Sequence, residues 1–439
     1  MQRVLPISFV RPFVWLLICF SSLFALYACS SAVPPETTAK KTTPDKENGK
    51  PVPPTTEAEQ RAPIESSAIT PPATILEIPL ASAPVAIQPA LPVLPSVKPF
   101  PHIALLLPLQ SAIFGPAADA VQQGFMAAAN YKSQTLPIKI YSDFAENGSV
   151  ITAYRQAIAN GAVAVVGPLT RDGVSAVAAE KNIPVPTLAL NIVEGQFAPQ
   201  LYFFGMAVEA EARQVAQLGK QHGLHQAIII TAHTPLSQRL QAAFEEEWTA
   251  PQSAQTNNSL NHDRGILREI EFDDDPAVFA DITDISDVMI FLATGAEKSR
   301  LIRPYLPNKL PIYATSQIFV GNDNTLTNYD LNGIRFVDMP WLLQPDHPAV
   351  MIYPRANPPL PADRERLYAL GIDSFRLIQL ILSNQINNAL PLDGVSGQIQ
   401  LSGHNFQHLA IPAVFAQGHA QLPDAPAVPA SQVFPANPP

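Results

Sequence analysis

The stretch AVAVVGPLTRDGVSAVAAEKNIPVPTLALN, Ala162 to Asn191, decides the fold. It opens with an apolar, β-branched run, Ala162 to Val166, whose length predicts a fully buried strand. A Gly-Pro pair breaks this run, and Thr170 or Asp172 can cap the helix that follows. A second apolar strand, Val185 to Leu190, completes a strand–helix–strand unit. Such a unit predicts a parallel sheet with a right-handed crossover.

Both strands of this unit end in short polar loops, which hold Thr170, Arg171 and Asn191. In open α/β folds, ligands lie at the carboxyl ends of the strands, so these loops predict where a cleft would be. Loops also need polar residues for structural reasons, so a scaffold unit without a ligand is the alternative. This stretch alone leaves both interpretations open.

The segments before this unit continue the same alternation. They predict two strands and two helices, at 102–109, from 115 onward, 138–141 and 150–160. Together with the central unit they give the order β-α-β-α-β-α-β, which is typical of a doubly wound α/β domain.

A second run of the same kind begins after Gly205. Its predicted helices start near 209 and 235, and its predicted strands lie at 227–231, 266–272, 287–293 and 311–315. The segment 334–340 leads out of this lobe, and residues 364–370 and 372–384 are predicted helices. The strands 397–401 and 409–415 are expected to form a closing hairpin. Two lobes are expected because the chain beyond residue 100 is long for a single core.

The first 28 residues have the composition of a secretion signal, with arginines before an apolar segment that is short for a membrane span. Leu26 to Ser30 resembles a bacterial lipobox, which implies cleavage before Cys29 and lipidation of its thiol. An ordinary export signal with an incidental Cys29 is the alternative. The chain has two cysteines, and Cys19 lies in the removed segment, so we expect no internal disulfide despite an oxidising compartment.

Residues 29–99 are expected to be a lipidated N-terminus followed by a disordered linker. The segment is rich in Pro, Ala, Thr and Ser, and it cannot bury enough apolar area to offset chain entropy. At about 3.1 Å per residue, roughly 70 such residues could extend to about 200 Å. Residues 425–439 are expected to be a disordered tail. The folded head is therefore expected at 100–424.

The sequence carries no recognised catalytic motif. It lacks a Gly-x-Ser-x-Gly elbow, a phosphate-binding loop and a dinucleotide fingerprint, so no catalytic residue and no cofactor are predicted. The net charge is −10 and only 15% of the residues are charged. Because no basic stripe is present, a nucleic-acid partner is not expected.

Two histidine pairs are weak metal candidates. His222 and His225 lie beside a glycine that suggests a helix end, where histidine complements the helix dipole. His404 and His408 flank a turn. The acidic run Asp273–Asp275 lacks the ligand loop that calcium requires, and it is interpreted as a helix cap. No metal site is predicted.

The order of several short motifs identifies a family. The two serial α/β lobes resemble the type 1 periplasmic binding protein fold. The short motifs resemble those of the LppC/LpoA family of outer-membrane lipoproteins, which activate penicillin-binding proteins. These motifs are His102–Leu109, Val166–Leu169, Leu188–Asn191, Tyr313–Ser316, Leu331–Phe336, Asp338–Leu343, Gly371–Asp373 and Gly394–Gly397. Better-known members carry a domain of helical repeats before the two lobes, and here the Pro-rich linker takes its place.

This resemblance implies a division of the head into lobes. In the type 1 fold the chain would cross between lobes near Gly205, Pro340 and Ser396. Lobe one would comprise about 101–206 and 341–395, and lobe two about 207–340 and 396–424.

The resemblance also implies a function. The protein would be a non-enzymatic regulator of a bifunctional penicillin-binding protein, a peptidoglycan synthase. A lipid anchor would hold it on the periplasmic side of the outer membrane, which Ser30 favours because inner-membrane retention commonly uses Asp there. An enzyme that acts on the cell wall is the weakest alternative.

The main alternative is a receptor that binds an amino-acid-like solute for an importer. In receptors of this fold the loops after strands one, three and four hold the ligand. Arg171 could then pair with a carboxylate, although it could equally be a solvated residue in the first turn of a helix. The candidate cleft residues are Gln110, Ser111, Phe114, Thr170, Arg171, Asn191, Thr315 and Asp373.

Overall fold

The computed structural model describes residues 99–132, 136–142, 149–250, 266–322 and 325–423. The predicted signal segment, Cys29, the linker and the tail lie outside these residues. The strands, in chain order, are β1 (His102–Leu107), β2 (Ile138–Ser142), β3 (Ala162–Val166), β4 (Thr187–Ala189), β5 (Leu201–Phe204), β6 (Gln226–Thr231), β7 (Ile266–Glu271), β8 (Val288–Leu292), β9 (Ile312–Ala314), β10 (Ile334–Asp338), β11 (Leu392–Asp393), β12 (Gln398–Ser402), β13 (Asn405–Leu409), β14 (Ile411–Ala416) and β15 (His419–Gln421).

The α-helices surround these strands. They are α1 (Gly115–Tyr131), α2 (Ser149–Ala159), α3 (Arg171–Ala178), α4 (Val208–Gln221), α5 (Pro235–Thr249), α6 (Ala296–Ile302), α7 (Thr325–Tyr329), α8 (Pro340–Leu343), α9 (Pro348–Met351), α10 (Ala362–Leu382) and α11 (Ile386–Ala389). Short 3-10 helices occur at Pro276–Phe279, Arg303–Tyr305 and Ser316–Ile318.

The strands form two sheets, as the alternating pattern predicts. In the described residues, one sheet has the order β11-β12-β13-β5-β4-β3-β1-β2 and the other β15-β14-β10-β9-β8-β6-β7. The central strands of both pair in parallel, and antiparallel hairpins extend one edge of each. The predicted fold, two doubly wound α/β lobes, is confirmed.

Each sheet is covered on both faces, which explains why its central strands are apolar throughout. In β1, Ile103, Leu105 and Leu107 pack into one core, with α1 and α10. Ala104 and Leu106 point to the opposite face and pack with α2 and α3. Alternate side chains of a strand point to opposite faces, so a strand buried on both sides needs a continuous apolar run.

Helices α1 and α10 approach each other so closely that glycine is required at the contact. A Cβ on Gly124 would lie 1.9 Å from the carbonyl oxygen of Tyr368, and one on Gly371 would lie 2.2 Å from that of Val121. Helix α10 runs unbroken through residue 371, so the expected division into two helices at this residue is wrong. Gly371 allows close packing here and does not break the helix.

The closing segment differs from its prediction. Strands β12 and β13 pair with each other and β13 pairs with β5, so both belong to the first sheet. The expected crossing near Ser396 and the expected hairpin of 397–401 with 409–415 are therefore wrong. The chain passes to the second sheet at Ala410, where Gln214 of α4 binds both the backbone N–H and the carbonyl of this residue.

Candidate functional site

The loop after β1 holds the first three predicted cleft residues. The Ser111 hydroxyl accepts hydrogen bonds from the backbone N–H groups of Ile113 and Phe114, at 3.3 and 3.0 Å. Phe114 is the N-cap residue of α1 and is partly exposed, and Gln110 is exposed. Ser111 therefore shapes the loop, while Gln110 and Phe114 present free surface.

The loop after β3 holds Thr170 and Arg171. The Thr170 hydroxyl accepts a hydrogen bond from the N–H of Gly173 at 3.2 Å and caps α3, as the sequence predicts. Arg171 is exposed. The pKa of Glu209 is lowered. Burial alone would raise it, but a hydrogen bond from Arg239 and the positive charges of Arg239 and Arg171 have the larger combined effect. Glu209 belongs to α4 of the second lobe.

The loop after β4 holds Asn191, whose side chain is used inside the protein. Its Nδ2 donates to the carbonyl of Leu169 at 3.1 Å, and its Oδ1 accepts from the N–H of Ile192 at 2.9 Å. The first bond ties the loop after β4 to the loop after β3. Strands β1, β3 and β4 are neighbours in the sheet, so the structure brings all three loops to one edge. Contact between them and a ligand stays a prediction.

Thr315 and Asp373 lie apart from these loops and are fully buried. The Oγ1 of Thr315 has no hydrogen-bond partner among the described atoms. The Asp373 carboxylate accepts hydrogen bonds from the N–H groups of Val395 and Ser396, from the Ser396 hydroxyl and from Arg376. Asp373 thus holds segment 395–396 against α10, which keeps this segment in the first lobe.

The sequence reasoning missed the most strongly charged buried site. Four residues, Glu211, Ser316, Asp338 and Arg366, form a buried group that we call the interlobe cluster. The Arg366 guanidinium binds the Asp338 carboxylate twice, from Nε at 3.0 Å and from an Nη at 2.6 Å. It also donates to the carbonyls of Ser316 and Phe319, at 2.9 and 2.8 Å.

The interlobe cluster joins the two lobes. Arg366 belongs to α10, whose apolar residues pack in the core of the first sheet. Asp338 is the last residue of β10, and Ser316 follows the carboxyl end of β9, both in the second sheet. Since ligands of open α/β folds lie at this edge, the chain's own arginine occupies a position where a ligand cation could otherwise lie.

Glu211 completes the cluster from the first turn of α4. Its carboxylate accepts hydrogen bonds from the N–H and the hydroxyl of Ser316, both at 2.9 Å. Burial raises the pKa of Glu211 to about 7, and the charge of Asp338 adds to this rise. Two carboxyl groups and one guanidinium thus share a buried site whose total charge changes near neutral pH.

One sequence signal could have found the cluster. Ala362, Arg366, Ala369 and Asp373 are spaced by four, three and four residues, so they share one face of α10. That face is buried, and charged residues are rarely buried unless they are paired. A charge on the apolar face of a helix therefore predicts a buried partner, although it does not say where the partner lies.

The histidine pairs have structural contacts. His222 follows the last residue of α4, as the helix-end interpretation predicts, and its Nδ1 lies 2.6 Å from the Tyr313 hydroxyl. The Nδ1 of His404 lies 2.7 Å from the Leu201 carbonyl. In the described part of the chain, no group of three or more His, Cys, Asp or Glu residues could hold a metal ion.

The sequence matches a family profile described as "LppC putative lipoprotein" over residues 82–407. The chain belongs to the LppC lipoprotein family. Two curated relatives bear the name "Penicillin-binding protein activator LpoA". The protein from Photobacterium profundum is 24% identical in an alignment of 329 residues that covers 68% of this chain and 53% of the relative. The protein from Haemophilus influenzae is 26% identical in an alignment of 305 residues that covers 67% of this chain and 49% of the relative.

This LppC family member therefore spans about half the length of the curated relatives it matches. Two solved structures have the same fold. Full-length LpoA from Haemophilus influenzae superposes with a TM-score of 0.61 at 22% identity, over 73% of this chain and 58% of that one. A "putative branched-chain amino acid ABC transporter" from Chromobacterium violaceum has a TM-score of 0.61 at 35% identity, over 72% of this chain and 99% of that one.

Among the helices that the structure describes, none combines the length and the apolar character that crossing a bilayer requires.

Proposed function

We propose that this LppC family protein is a non-enzymatic regulator that stimulates a bifunctional penicillin-binding protein during peptidoglycan synthesis. The names of its relatives support the class of partner. Because the chain spans about half of those relatives, stimulation by this chain is itself part of the proposal.

The observation that carries the proposal is the position of Arg366 in the interlobe cluster. A receptor of this fold closes its lobes around a solute and opens them to release it. Here the Arg366 guanidinium joins the lobes through hydrogen bonds to Asp338 and to two backbone carbonyls. Opening the lobes would separate Arg366 from Asp338 and leave charges unpaired, which is costly in a buried site. A surface that binds a partner protein needs no such opening.

Binding to a synthase is tested by capture from detergent-solubilised envelope with the purified protein as bait. Fluorescent penicillin then labels the captured material, so that a penicillin-binding protein is detected by its own chemistry. We expect one labelled band of high molecular mass, in an amount that exceeds the amount captured by heat-unfolded bait. Equal amounts in the two captures would contradict the proposal.

We infer further that Cys29 carries a lipid anchor and that the protein acts from the periplasmic side of the outer membrane. The lipobox resemblance, Ser30 and membership of a lipoprotein family support this inference. A linker that extends to about 200 Å would let the head reach a synthase far from the anchor. Cys29→Ser should abolish incorporation of labelled palmitate, and equal labelling of variant and parent would exclude the anchor.

A solute receptor is the second candidate, and one observation favours it. The relative from Chromobacterium violaceum, at 35% identity, is described as a branched-chain amino acid transporter. Calorimetry with leucine, isoleucine and valine separates the two functions. Saturable binding of one of them, together with no capture of a penicillin-binding protein, would favour the receptor.

A further inference from the structure

A cavity lies against the face of the second sheet that α4 partly covers, and none of the four residues of the interlobe cluster lines it. It has a volume of about 660 Å³ and extends to Pro311, which precedes β9, whereas the cluster follows the carboxyl end of this strand. We call it the hinge groove, because residues of both lobes and of the crossing segment at Ala410 line it. Its volume is within the range of about 300–1,000 Å³ that is common for small-molecule sites.

The sheet pairing explains why this groove is open. Tyr313 pairs with Arg335, and Arg335 pairs with Val414 of β14, so these side chains share one sheet face. Helix α4 covers the neighbouring part of that face but ends at Gln221. The strip of sheet beside α4 is therefore one wall of the groove, and α4 is another.

Most of the lining is apolar. Leu218 of α4, Leu409 of β13 and Pro412 of β14 line the groove and are partly or fully exposed. Such a surface favours the transfer of a hydrocarbon group from water.

Arg335 supplies the guanidinium of the groove's lining. Its guanidinium carbon lies 5.7 Å from the centre of the Tyr313 ring, and the residue is exposed. Among the described residues, no carboxylate lies within ion-pair distance of this guanidinium. Burial and the charge of Arg335 lower the pKa of His222, which bonds the Tyr313 hydroxyl. At neutral pH this imidazole is uncharged, so Arg335 supplies the positive charge.

The groove has one carboxylate of its own, on the opposite wall. The Oδ1 of Asp393 lies 3.8 Å from Nε2 of His347 in the first lobe, which is too far for a hydrogen bond. In the described structure Asp393 is not within ion-pair distance of Arg335 either.

We propose that the hinge groove binds a small amphipathic carboxylate. Its alkyl body would lie on Leu218, Leu409 and Pro412, and its carboxylate would pair with Arg335 beside the Tyr313 hydroxyl. A guanidinium presents two parallel N–H donors that match a carboxylate, and a partly desolvated site strengthens such a pair. This site is separate from the interlobe cluster and does not depend on the regulatory function.

The test is calorimetry of the full protein with three decyl compounds below their critical micelle concentrations: decanoate, decylammonium and decyl maltoside. We expect saturable binding of decanoate at one site, and affinities for the other two that are at least about tenfold weaker. Arg335→Gln should weaken decanoate binding by about tenfold or more and leave the other two unchanged. Arg268→Gln is the matched control, because Arg268 is also an exposed strand arginine but lies on β7.

A second variant tests the location. Gln217 is a half-buried residue of α4 that lines the groove, so Gln217→Trp should fill it and abolish decanoate binding without a change in melting temperature. Equal affinities for the three compounds, or no saturable binding by the parent, would overturn the proposal. Pro423 lines the groove and precedes the chain's C-terminal segment. The Val433→Ser/Phe434→Ser variant replaces two apolar side chains of this segment. If this variant binds decanoate and the parent protein does not, the segment itself occupies the groove, and the proposal is also overturned.

Discussion

Arg366→Met removes the charge at the centre of the interlobe cluster and keeps most of the side-chain volume. The Asp338 carboxylate, 1% exposed, then loses both of its charge-assisted hydrogen bonds, and the carbonyls of Ser316 and Phe319 lose a donor. Removing one partner of a buried ion pair typically costs about 3–5 kcal/mol. We therefore expect the free energy of unfolding to fall by about this amount, and the melting temperature to fall by roughly 6–20 °C.

The double variant Arg366→Met/Asp338→Asn identifies the cause. It removes the unpaired carboxylate together with the guanidinium, so it should unfold at a higher temperature than Arg366→Met alone. Arg364→Met is the matched control, because Arg364 lies on the same helix but is only half-buried. Its melting temperature should stay within about 2 °C of the parent. Urea and thermal unfolding, followed by circular dichroism, measure all three variants.

An Arg366→Met variant that unfolds at the parent's urea concentration would refute this reasoning. The buried pair would then contribute nothing to stability, and the argument that it holds the lobes together would fail.

Glu211→Gln should change how stability depends on pH. Because the folded-state pKa of about 7 is above the ordinary value of 4.5, the parent loses stability as pH rises through this interval, by at most roughly 3 kcal/mol, whereas the variant does not. The free energy of unfolding of the variant minus that of the parent should therefore grow between pH 4.5 and 8. A constant difference would contradict the raised pKa of Glu211. Gly124→Ala should cost about 1–3 kcal/mol or more, since its methyl carbon would lie 1.9 Å from a backbone oxygen. Gly295→Ala, whose methyl meets no atom nearer than 3.9 Å, is the control, and equal unfolding of the two would be the contrary result. Arg171→Ala should change synthase stimulation by less than about twofold, because a few aromatic or Arg anchors usually carry an interface and could lie outside the cleft. Loss of most stimulation at an unchanged melting temperature would show that the cleft takes part.

The architecture could be predicted because its signals are local. A continuous apolar run such as that of β1 predicts burial on both faces, and Thr170 before a helical pattern predicts a cap. Each signal needs only a few neighbouring residues, and their order along the chain then gives the two lobes.

The closing segment could not be predicted in the same way. Strand β13 joins the first sheet by pairing with β5, about 200 residues earlier in the chain. The pattern of residues 396–410 predicts strands but does not say which sheet they extend. The hydrogen bonds that Ser396 donates to Asp373 and Ala410 donates to Gln214 fix which sheet each strand joins. Both are contacts between residues far apart in the sequence.

The candidate site was predicted only in part, for a related reason. The loops with Thr170 and Asn191 follow apolar strands, so their position at one sheet edge can be read from the sequence. The interlobe cluster draws Glu211, Ser316, Asp338 and Arg366 from four separate segments. No local pattern links these residues, and a charge on an apolar helix face was the single sign of them.

The most direct test of the central claim is the rate of glycan crosslinking by a purified bifunctional penicillin-binding protein, with and without this protein. Lipid II is the substrate, and the protein is added at an equimolar amount and in excess. The proposed function predicts a saturable rise in the rate, no crosslinking by this protein alone and no effect of heat-unfolded protein. An unchanged rate at saturating concentration, from protein that melts cooperatively, would contradict it.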